Sequence, residues 1–154
     1  MTLRQAQGER VFELPDLTAM AAFGEQVANR LQEGDVVALS GGLGVGKTTL
    51  ARSIIAALGH DGEVPSPTFT IVEVYRDLRV PLVHADFYRL ENPWEADEIG
   101  LDEYREGAAL IAEWPENAGG FSDEPECLST SLEIAGNGRR AIVEPGAAWQ
   151  GRWP

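Results

Sequence analysis

The chain has 154 residues, enough for one domain that buries roughly 70% of its unfolded surface. Its 44% hydrophobic and 24% charged residues exclude a mainly disordered chain. With 12 basic against 25 acidic residues, the net charge of -13 argues against direct, non-specific binding to nucleic-acid backbones. Such acidity either keeps the surface hydrated or serves a basic partner.

The positive charge of the chain is carried almost entirely by arginine. Of the 12 basic residues, eleven are arginines and one is a lysine, Lys47. An ammonium is a compact point charge, whereas a guanidinium is a wide planar fork. We therefore expect position 47 to be a place where arginine cannot serve.

Cysteine content and hydropathy indicate the compartment. Cys127 is the only cysteine, so no intramolecular disulfide can form and a reducing cytosol is the default expectation. Residues 1–16 contain no apolar core of signal-peptide length, and no apolar run is long enough to span a bilayer. We predict a cytoplasmic protein without membrane contact.

The first part of the chain predicts a strand, a helix and a second strand. Residues 11–14 alternate in polarity and meet a proline, as in a short edge strand. A helix is predicted to begin near Asp16 or Thr18 and to end at Gly34. Residues 36–39 form a continuous apolar run, which is typical of a strand buried on both faces. The apolar residues of the helix are Met20, Phe23, Val27 and Leu31.

The middle of the chain predicts one more long helix and three strands. Beyond a glycine-rich loop, apolar residues mark one face of a helix that ends at Gly59. Residues 68–75 are rich in β-branched and aromatic side chains, which favour a strand. Two further strands are predicted over residues 80–86 and 108–113, because each segment is mostly apolar and ends on a carboxylate. Residues 94–105 are acidic and predict two short helical pieces.

The C-terminal part predicts a hairpin. Residues 128–135 and 139–144 flank the dipeptide Asn137-Gly138, which favours a tight turn between antiparallel strands. This pair is expected to close the sheet. The chain shows no repeat, no low-complexity tract and no linker.

These elements predict one domain over residues 1–144 and a tail over residues 145–154. The tail carries Trp149 and Trp153, which either pack back on the domain or contact a partner. The alternation of strands and helices predicts an α/β fold with a mixed central sheet, flanking helices and a C-terminal antiparallel hairpin.

Residues 41–48 fit the phosphate-loop pattern G-x-x-x-x-G-K-[ST] without a gap, between a buried strand and an amphipathic helix. Glycines let the backbone turn tightly and aim its N–H groups at a phosphate, and the helix N-terminus adds favourable partial charge. Lys47 is expected to reach the β and γ phosphates, and Thr48 to offer its hydroxyl to Mg²⁺. The residues expected to contact the nucleotide are Gly41, Gly42, Leu43, Gly44, Val45, Gly46, Lys47, Thr48 and Thr49.

The same reasoning favours ATP over GTP. Recognition of guanine by an Asn/Thr-Lys-x-Asp element needs a second lysine, and the only lysine is already in the loop. Asp86 and Glu113 both end predicted strands, where ligands of open α/β sheets bind. Either carboxylate is a candidate for the second nucleotide-binding motif.

Four segments together resemble the TsaE (YjeE) family of small bacterial P-loop ATPases, which are required for threonylcarbamoyladenosine modification of tRNA. They follow the family's order and spacing. The likeness extends over residues 14–120, and it implies the P-loop NTPase fold. The segments are residues 41–50, Ser66-Pro67-Thr68-Phe69-Thr70-Ile71-Val72-Glu73, His84-Ala85-Asp86-Phe87-Tyr88-Arg89-Leu90 and Ala112-Glu113-Trp114-Pro115-Glu116.

The resemblance implies a role for each candidate side chain. Glu113 resembles the family's Mg²⁺ ligand beside Thr48, and Asp86 resembles its residue needed for hydrolysis. Thr68 and Thr70 lie where the family has a mobile, switch-like segment, and Trp114 occupies its functionally sensitive tryptophan position. One departure stands at Gly42, where the family commonly has aspartate, so any water-orienting role of that side chain is missing here.

The resemblance also implies partners. The family works with the TsaD and TsaB proteins, so the chain is expected to dock on that pair and reset it by hydrolysing ATP, with tRNA contacted only indirectly. Two alternatives stay open. A small-molecule kinase of the same fold needs an acceptor pocket and an arginine-bearing lid, and no arginine cluster occurs between residues 53 and 138. A nucleotide-gated binding module differs only in lacking useful turnover.

Overall fold

Seven strands and four α-helices make up most of residues 9–64 and 71–153, which are the residues that this computed structural model describes. A short 3₁₀ helix covers Pro115–Ala118. The helices are α1 (Leu17–Arg30), α2 (Lys47–Ala57), α3 (Trp94–Glu98) and α4 (Leu101–Arg105). The strands are β1 (Arg10–Leu14), β2 (Val36–Ser40), β3 (Val72–Tyr75), β4 (Leu82–Asp86), β5 (Ala109–Glu113), β6 (Cys127–Ala135) and β7 (Gly138–Pro145).

All seven strands form one mixed sheet in the order β1-β7-β6-β2-β5-β4-β3. The centre is parallel, because β2 pairs in parallel with β5 and β6, and β4 pairs in parallel with β5. Both margins are antiparallel, through β1 with β7, β6 with β7 and β3 with β4. The predicted α/β fold is confirmed. The carboxyl ends of β2, β5 and β4 meet at one edge of the sheet, where the loop before α2 also lies.

Helices cover the two faces of the sheet unequally. Helices α1 and α2 pack on one face and form the larger apolar cluster, whereas α3, α4 and the 3₁₀ helix cover the other. Side chains of β5 alternate between these clusters: Ile111 faces α2 and Leu110 faces away. By the same alternation, Glu113 at the end of β5 lies on the α2 face. The sheet therefore carries this carboxylate toward the phosphate-loop motif.

Residues after β7 fold back on the first face. Trp149 is buried and its indole Nε1 donates to the Glu126 carbonyl at 2.7 Å. The Arg152 guanidinium donates to both oxygens of the buried Asp35 carboxylate at 2.8 Å. Trp153 packs edge-on against Phe12 with ring centres 5.8 Å apart. Of the two alternatives for these tryptophans, packing against the domain is the one observed.

Helix α1 ends four residues before the predicted stop at Gly34. Asp16 caps its start, since the Asp16 carboxylate accepts the Ala19 N–H at 2.8 Å. At the other end Leu31 turns to extended backbone, and the Asp35 carboxylate accepts the Gln32 N–H at 2.7 Å. This side-chain turn replaces the last predicted helical turn, because aspartate competes with the helix for backbone N–H groups.

The hairpin turn is displaced by one residue from the predicted dipeptide. Ala135 pairs with Gly138, so the turn consists of Gly136 and Asn137, and Gly138 already belongs to β7. A Cβ at Gly138 would lie 2.6 Å from the Leu14 carbonyl oxygen. Gly138 therefore allows close packing against the end of β1. The turn itself contains Gly136, whose φ of +60° favours glycine.

The remaining predicted elements differ only in their ends. The strand predicted over residues 68–75 is observed as β3, and residues 68–70 lie outside the described part of the chain. The acidic stretch forms two short helices, α3 and α4, as expected. Among the described residues, no helix has the length and apolar character needed to cross a membrane.

Candidate functional site

The loop between β2 and α2 requires glycine at two positions. Gly41 has φ +141°, and a Cβ there would lie 2.6 Å from the Leu132 carbonyl oxygen and 2.9 Å from Val45 Cγ1. Gly46 has φ +115° at the start of α2. Other residues would be strained in these conformations. By contrast, a side chain at Gly42 would meet open space, so the aspartate of the family would fit there.

The amino end of α2 opens onto this loop. The first hydrogen bond of the helix runs from the Leu50 N–H to the Gly46 carbonyl at 2.9 Å. Backbone N–H groups ahead of Leu50 consequently have no acceptor within the helix. They carry the positive end of the helix dipole, an arrangement that binds phosphate and other anions.

Lys47 is buried and points back into the loop. Its Nζ donates to the Gly41 and Gly42 carbonyls at 2.7 Å each. The same ammonium lies 4.2 Å from the ring centre of Trp114, in a cation–π contact. Burial lowers the pKa of Lys47, while the nearby Glu113 carboxylate acts in the opposite direction. The ammonium is thus held inside the loop by two backbone carbonyls and an indole ring.

Glu113 stands at the centre of the site with only 2% of its surface exposed. Its Oε1 accepts the Thr48 hydroxyl at 2.8 Å, and its Oε2 lies 2.6 Å from Nε2 of His84. Hydroxyl and carboxylate oxygens are the ligands that Mg²⁺ prefers. No group of three or more His, Cys, Asp or Glu side chains within residues 9–64 and 71–153 could hold a metal alone. A cation here would share its shell with the oxygens of a ligand and water.

Asp86 ends β4 directly opposite Glu113 in the parallel ladder. Its Oδ1 accepts the Tyr88 N–H at 3.0 Å, which fixes the orientation of the carboxylate. Burial raises the pKa of Asp86, the Tyr88 hydrogen bond lowers it and the Glu113 charge raises it further. A carboxylate that accepts a proton more readily than usual is suited to general-base chemistry.

Trp114 follows Glu113 in an unusual backbone conformation. It is the only non-glycine residue with a positive φ among those the structure describes, at φ 56° and ψ 50°. The ring lies 5.0 Å from the ring of Tyr88. Left-handed backbone at a bulky residue costs free energy and occurs preferentially at functional sites. The conformation turns the indole over Lys47.

These side chains share one open cleft of about 380 Å³, within the size range of ligand pockets. The structure thus brings together most of the residues that the sequence predicts for the site. Thr68 and Thr70, predicted as a switch segment, lie in the undescribed stretch. The residues lining the cleft are Leu43, Gly44, Gly46, Lys47, Thr48, Thr49, Asp86, Tyr88, Glu113 and Trp114.

Sequence reasoning missed two side chains that support the site. His84 contacts Glu113, and its position two residues before Asp86 in a strand could have placed it on the same face. Arg139 of β7 donates its Nε to the Val45 carbonyl at 2.7 Å and so anchors the loop from the hairpin. Nothing in the sequence pattern indicates that contact, because it joins residues 94 positions apart.

Comparison with known proteins decides the family. The sequence model of a family described as "Threonylcarbamoyl adenosine biosynthesis protein TsaE" matches residues 14–142. The chain belongs to the TsaE family. The predicted resemblance is therefore confirmed, and the matched region includes β2, the loop, α2, β4, β5 and most of the hairpin.

Individual TsaE proteins match over most of their length. The protein of Synechocystis is 43% identical over 110 residues, which cover 68% of this chain and 69% of that protein. The protein of Treponema pallidum is 39% identical over 126 residues, covering 80% and 90%. Both are named tRNA threonylcarbamoyladenosine biosynthesis protein TsaE. The crystal structure of YdiB from Bacillus subtilis superposes with a TM-score of 0.72 at 29% identity, covering 88% of this chain and 84% of YdiB.

The raised pKa of Asp86 has a consequence for stability. The folded chain binds a proton on Asp86 more tightly than the unfolded chain does. Protonated Asp86 therefore adds to the free energy of unfolding at acidic pH, and this contribution is lost as pH rises through the folded-state pKa. At neutral pH the ionised Asp86 therefore destabilises the fold. We expect Asp86→Asn, which keeps the acceptor for Tyr88, to raise the free energy of unfolding at pH 7 by about 0.5–2 kcal/mol.

Urea unfolding at pH 7 and pH 4 tests this expectation. The difference in free energy of unfolding between Asp86→Asn and the wild-type protein should be smaller at pH 4. Asp61→Asn, at an exposed loop position, controls for the loss of one negative charge from this acidic chain. An Asp86→Asn variant less stable than the wild-type protein at pH 7 would contradict the raised pKa.

Proposed function

We propose that the protein is a Mg²⁺-dependent ATPase of the cytoplasm that supports threonylcarbamoyladenosine modification of tRNA. In this proposal it binds the TsaD–TsaB complex and resets it between cycles through ATP hydrolysis. The observation that carries the proposal is the contact between the Thr48 hydroxyl and the buried Glu113 carboxylate, beside Lys47 in a glycine loop. Membership of the TsaE family supports the biological process.

The loop and the start of α2 bind the phosphates. Free N–H groups at the helix start and the helix dipole face the β phosphate, so binding needs little reorganisation of the backbone. Lys47 exchanges its bonds to the Gly41 and Gly42 carbonyls for the oxygens of the β and γ phosphates. Although the chain has a net charge of -13, the backbone N–H groups of the loop and the Lys47 ammonium provide a local site for phosphate.

Thr48 and Glu113 are the residues that would hold Mg²⁺. Their facing oxygens, 2.8 Å apart, fit a small cation that keeps several waters and phosphate oxygens in its shell. When bound, Mg²⁺ offsets the negative charge of the phosphates. The burial of Glu113 keeps bulk water away from this charge, which strengthens its attraction for a cation.

Asp86 orients the attacking water and accepts its proton. The Tyr88 N–H holds Oδ1, and Oδ2 accepts no hydrogen bond from any residue within the described ranges. Burial raises the pKa of this carboxyl, so it is a better base than an exposed aspartate. Positioning and charge stabilisation by the loop supply most of the rate, as in other phosphoryl transfers.

The nucleoside end of ATP lies on the other side of the loop. A second pocket of about 230 Å³ opens there, between the loop, the start of α1 and the hairpin turn. Asn137 and Arg139 line it beside Thr49 of α2. No second lysine is present in the sequence for a guanine-recognition element. The missing second lysine is what favours adenosine over guanosine as the nucleoside.

Partner proteins complete the catalytic site. The tip of the loop presents the exposed side chain of Leu43, and Tyr88 is half exposed at the other side of the cleft. In this proposal these two side chains at the rim of the cleft contact the partner protein. The TsaD–TsaB pair is the partner in this proposal, and tRNA is contacted only through it, in keeping with the acidic surface.

Phosphate release tests the proposal. We expect slow release from the protein alone and a severalfold increase when TsaD and TsaB are added together, because the partner completes the site. An Asp86→Ala variant, expected to bind ATP without hydrolysing it, measures the background of the partner preparation. Absence of stimulation in a TsaD–TsaB preparation competent for tRNA modification would contradict the proposal.

Two further outcomes favour the alternatives. ATP that stays bound and unhydrolysed in the presence of both partners favours a nucleotide-gated binding module. Transfer of the γ phosphate to a small acceptor in a metabolite screen favours a kinase.

A further inference from the structure

His84 is a fully buried polar residue with one polar side-chain contact within residues 9–64 and 71–153. None of its surface is exposed, and its Nε2 lies 2.6 Å from Oε2 of Glu113. Its other ring nitrogen, Nδ1, has no hydrogen-bond partner among the residues that the structure describes. Within the described part of the chain, the polar function of this side chain is therefore directed at Glu113.

The sheet explains how the two side chains meet. His84 and Glu113 lie on adjacent parallel strands, β4 and β5, where His84 is paired with Ile111 and Glu113 with Asp86. Because alternate residues share a face, Leu82 and Ile111 place His84 on the α2 side together with Glu113. The two residues are diagonal neighbours, at a distance that long side chains can bridge.

The contact fixes the hydrogen on the ring. A carboxylate accepts hydrogen bonds and donates none, so Nε2 of His84 carries the hydrogen and donates it to Oε2. Nδ1 is then left buried with no partner in the described ranges, which is unfavourable for a residue with only a packing role. An apolar side chain would fill this place in the core, next to Leu82 and Ile111, without that cost.

We infer that His84 is a positioning residue for the metal site: it holds Oε2 of Glu113 so that Oε1 stays beside the Thr48 hydroxyl. This inference rests on the proposed function, in which Thr48 and Glu113 bind Mg²⁺. The two oxygens of Glu113 have separate partners, one on α2 and one on β4. Without His84 only the Thr48 hydroxyl restrains the carboxylate, and a metal ligand that is held less firmly binds its cation more weakly.

Two amide substitutions separate positioning from packing. In His84→Gln the amide nitrogen reaches about as far as Nε2 and can still donate to Glu113, whereas the shorter amide in His84→Asn cannot. Binding of the ATP analogue AMP-PNP is measured by calorimetry in EDTA and over a series of Mg²⁺ concentrations. We expect His84→Asn to raise the Mg²⁺ concentration that gives half of the maximal gain in AMP-PNP affinity by about 10–100-fold. In His84→Gln this concentration should lie close to that of the wild-type protein. Affinity in EDTA should change little in both variants.

Val83→Ala is the matched control for lost packing. Val83 is buried on the same strand but faces the opposite cluster, away from Glu113. We expect this variant to lower thermal stability without changing the Mg²⁺ dependence. If His84→Asn and His84→Gln weaken AMP-PNP binding equally in EDTA and in Mg²⁺, the role of His84 is packing and the inference is overturned.

Glu113→Gln distinguishes failure of this inference from failure of the proposed function. If Glu113→Gln leaves the Mg²⁺ dependence unchanged, the assignment of Glu113 as a metal ligand is wrong, and the inference fails with it. If Glu113→Gln removes the dependence while His84→Asn retains it, only the inference about His84 is overturned. If both single variants weaken Mg²⁺ binding, the double variant should be no weaker than Glu113→Gln, since His84 acts through Glu113.

Discussion

The Lys47→Arg variant is expected to lose ATP hydrolysis by about 100-fold or more while it keeps its fold. The positive charge is retained in this variant, so the loss reports geometry. Two loop carbonyls and the Trp114 ring enclose the ammonium, and a planar guanidinium cannot take the same place. Phosphate release in the presence of TsaD and TsaB measures the loss, and circular dichroism verifies the fold.

Arg52→Lys is the matched control for this prediction. Arg52 lies on the same helix, α2, but its Nε donates to the Val64 carbonyl at 3.0 Å, outside the cleft. The control exchanges the same two side chains in the opposite direction and should retain hydrolysis. Near-normal turnover of Lys47→Arg would show that position 47 tolerates arginine, and the phosphate role of Lys47 would have to be abandoned.

The largest effect on stability is expected for Trp149→Ala, at about 3–5 kcal/mol. Trp149 is 0% exposed, its Nε1 donates to the Glu126 carbonyl, and the Arg152 guanidinium lies 4.3 Å from its ring centre. Removing the indole leaves a cavity and takes away one of the two hydrogen bonds to the Glu126 carbonyl, which also accepts the Val36 N–H at 3.1 Å. It also loosens the Arg152 bond to Asp35. For a domain of this size the loss corresponds to a decrease in Tm of roughly 6–20 °C.

Trp94→Ala removes the same side chain from the surface. Trp94 begins α3 and is 56% exposed, so we expect its loss to change the free energy of unfolding by about 0.5 kcal/mol. Denaturant unfolding of both variants gives the comparison. Equal, small effects would contradict the buried position of the Trp149 side chain.

Local patterns predicted most of the fold. The apolar run before the loop gave β2, and the spacing of Met20, Phe23 and Val27 gave the buried face of α1. Errors arose where a tertiary contact replaced a local preference. The Asp35 carboxylate accepts the Gln32 N–H in the turn after α1, and it also binds Arg152, 117 residues away. No local pattern reveals the second contact. The hairpin turn shifted by one residue because Gly138 is needed for packing against β1.

The sequence predicted which residues form the candidate site, but not the contacts between their side chains. The loop motif and the family resemblance named Lys47, Thr48, Asp86 and Glu113, and the structure places all four in one cleft. The partner of Glu113 depends on strand register, which a single sequence does not specify for parallel strands far apart in the chain. The left-handed backbone of Trp114 was equally hidden, since a tryptophan gives no local indication of positive φ.

Three of the four tryptophans give the protein two kinds of built-in optical reporter. Trp149 and Trp153 are buried in the core with ring centres 6.1 Å apart, so their emission follows unfolding. Trp114 lies over an ammonium whose partners change when an anion enters the loop, so its emission follows occupancy of the cleft. Besides the exposed Trp94, which belongs to neither kind, the unlabelled protein can therefore report the loss of the fold and the filling of the site through different tryptophans.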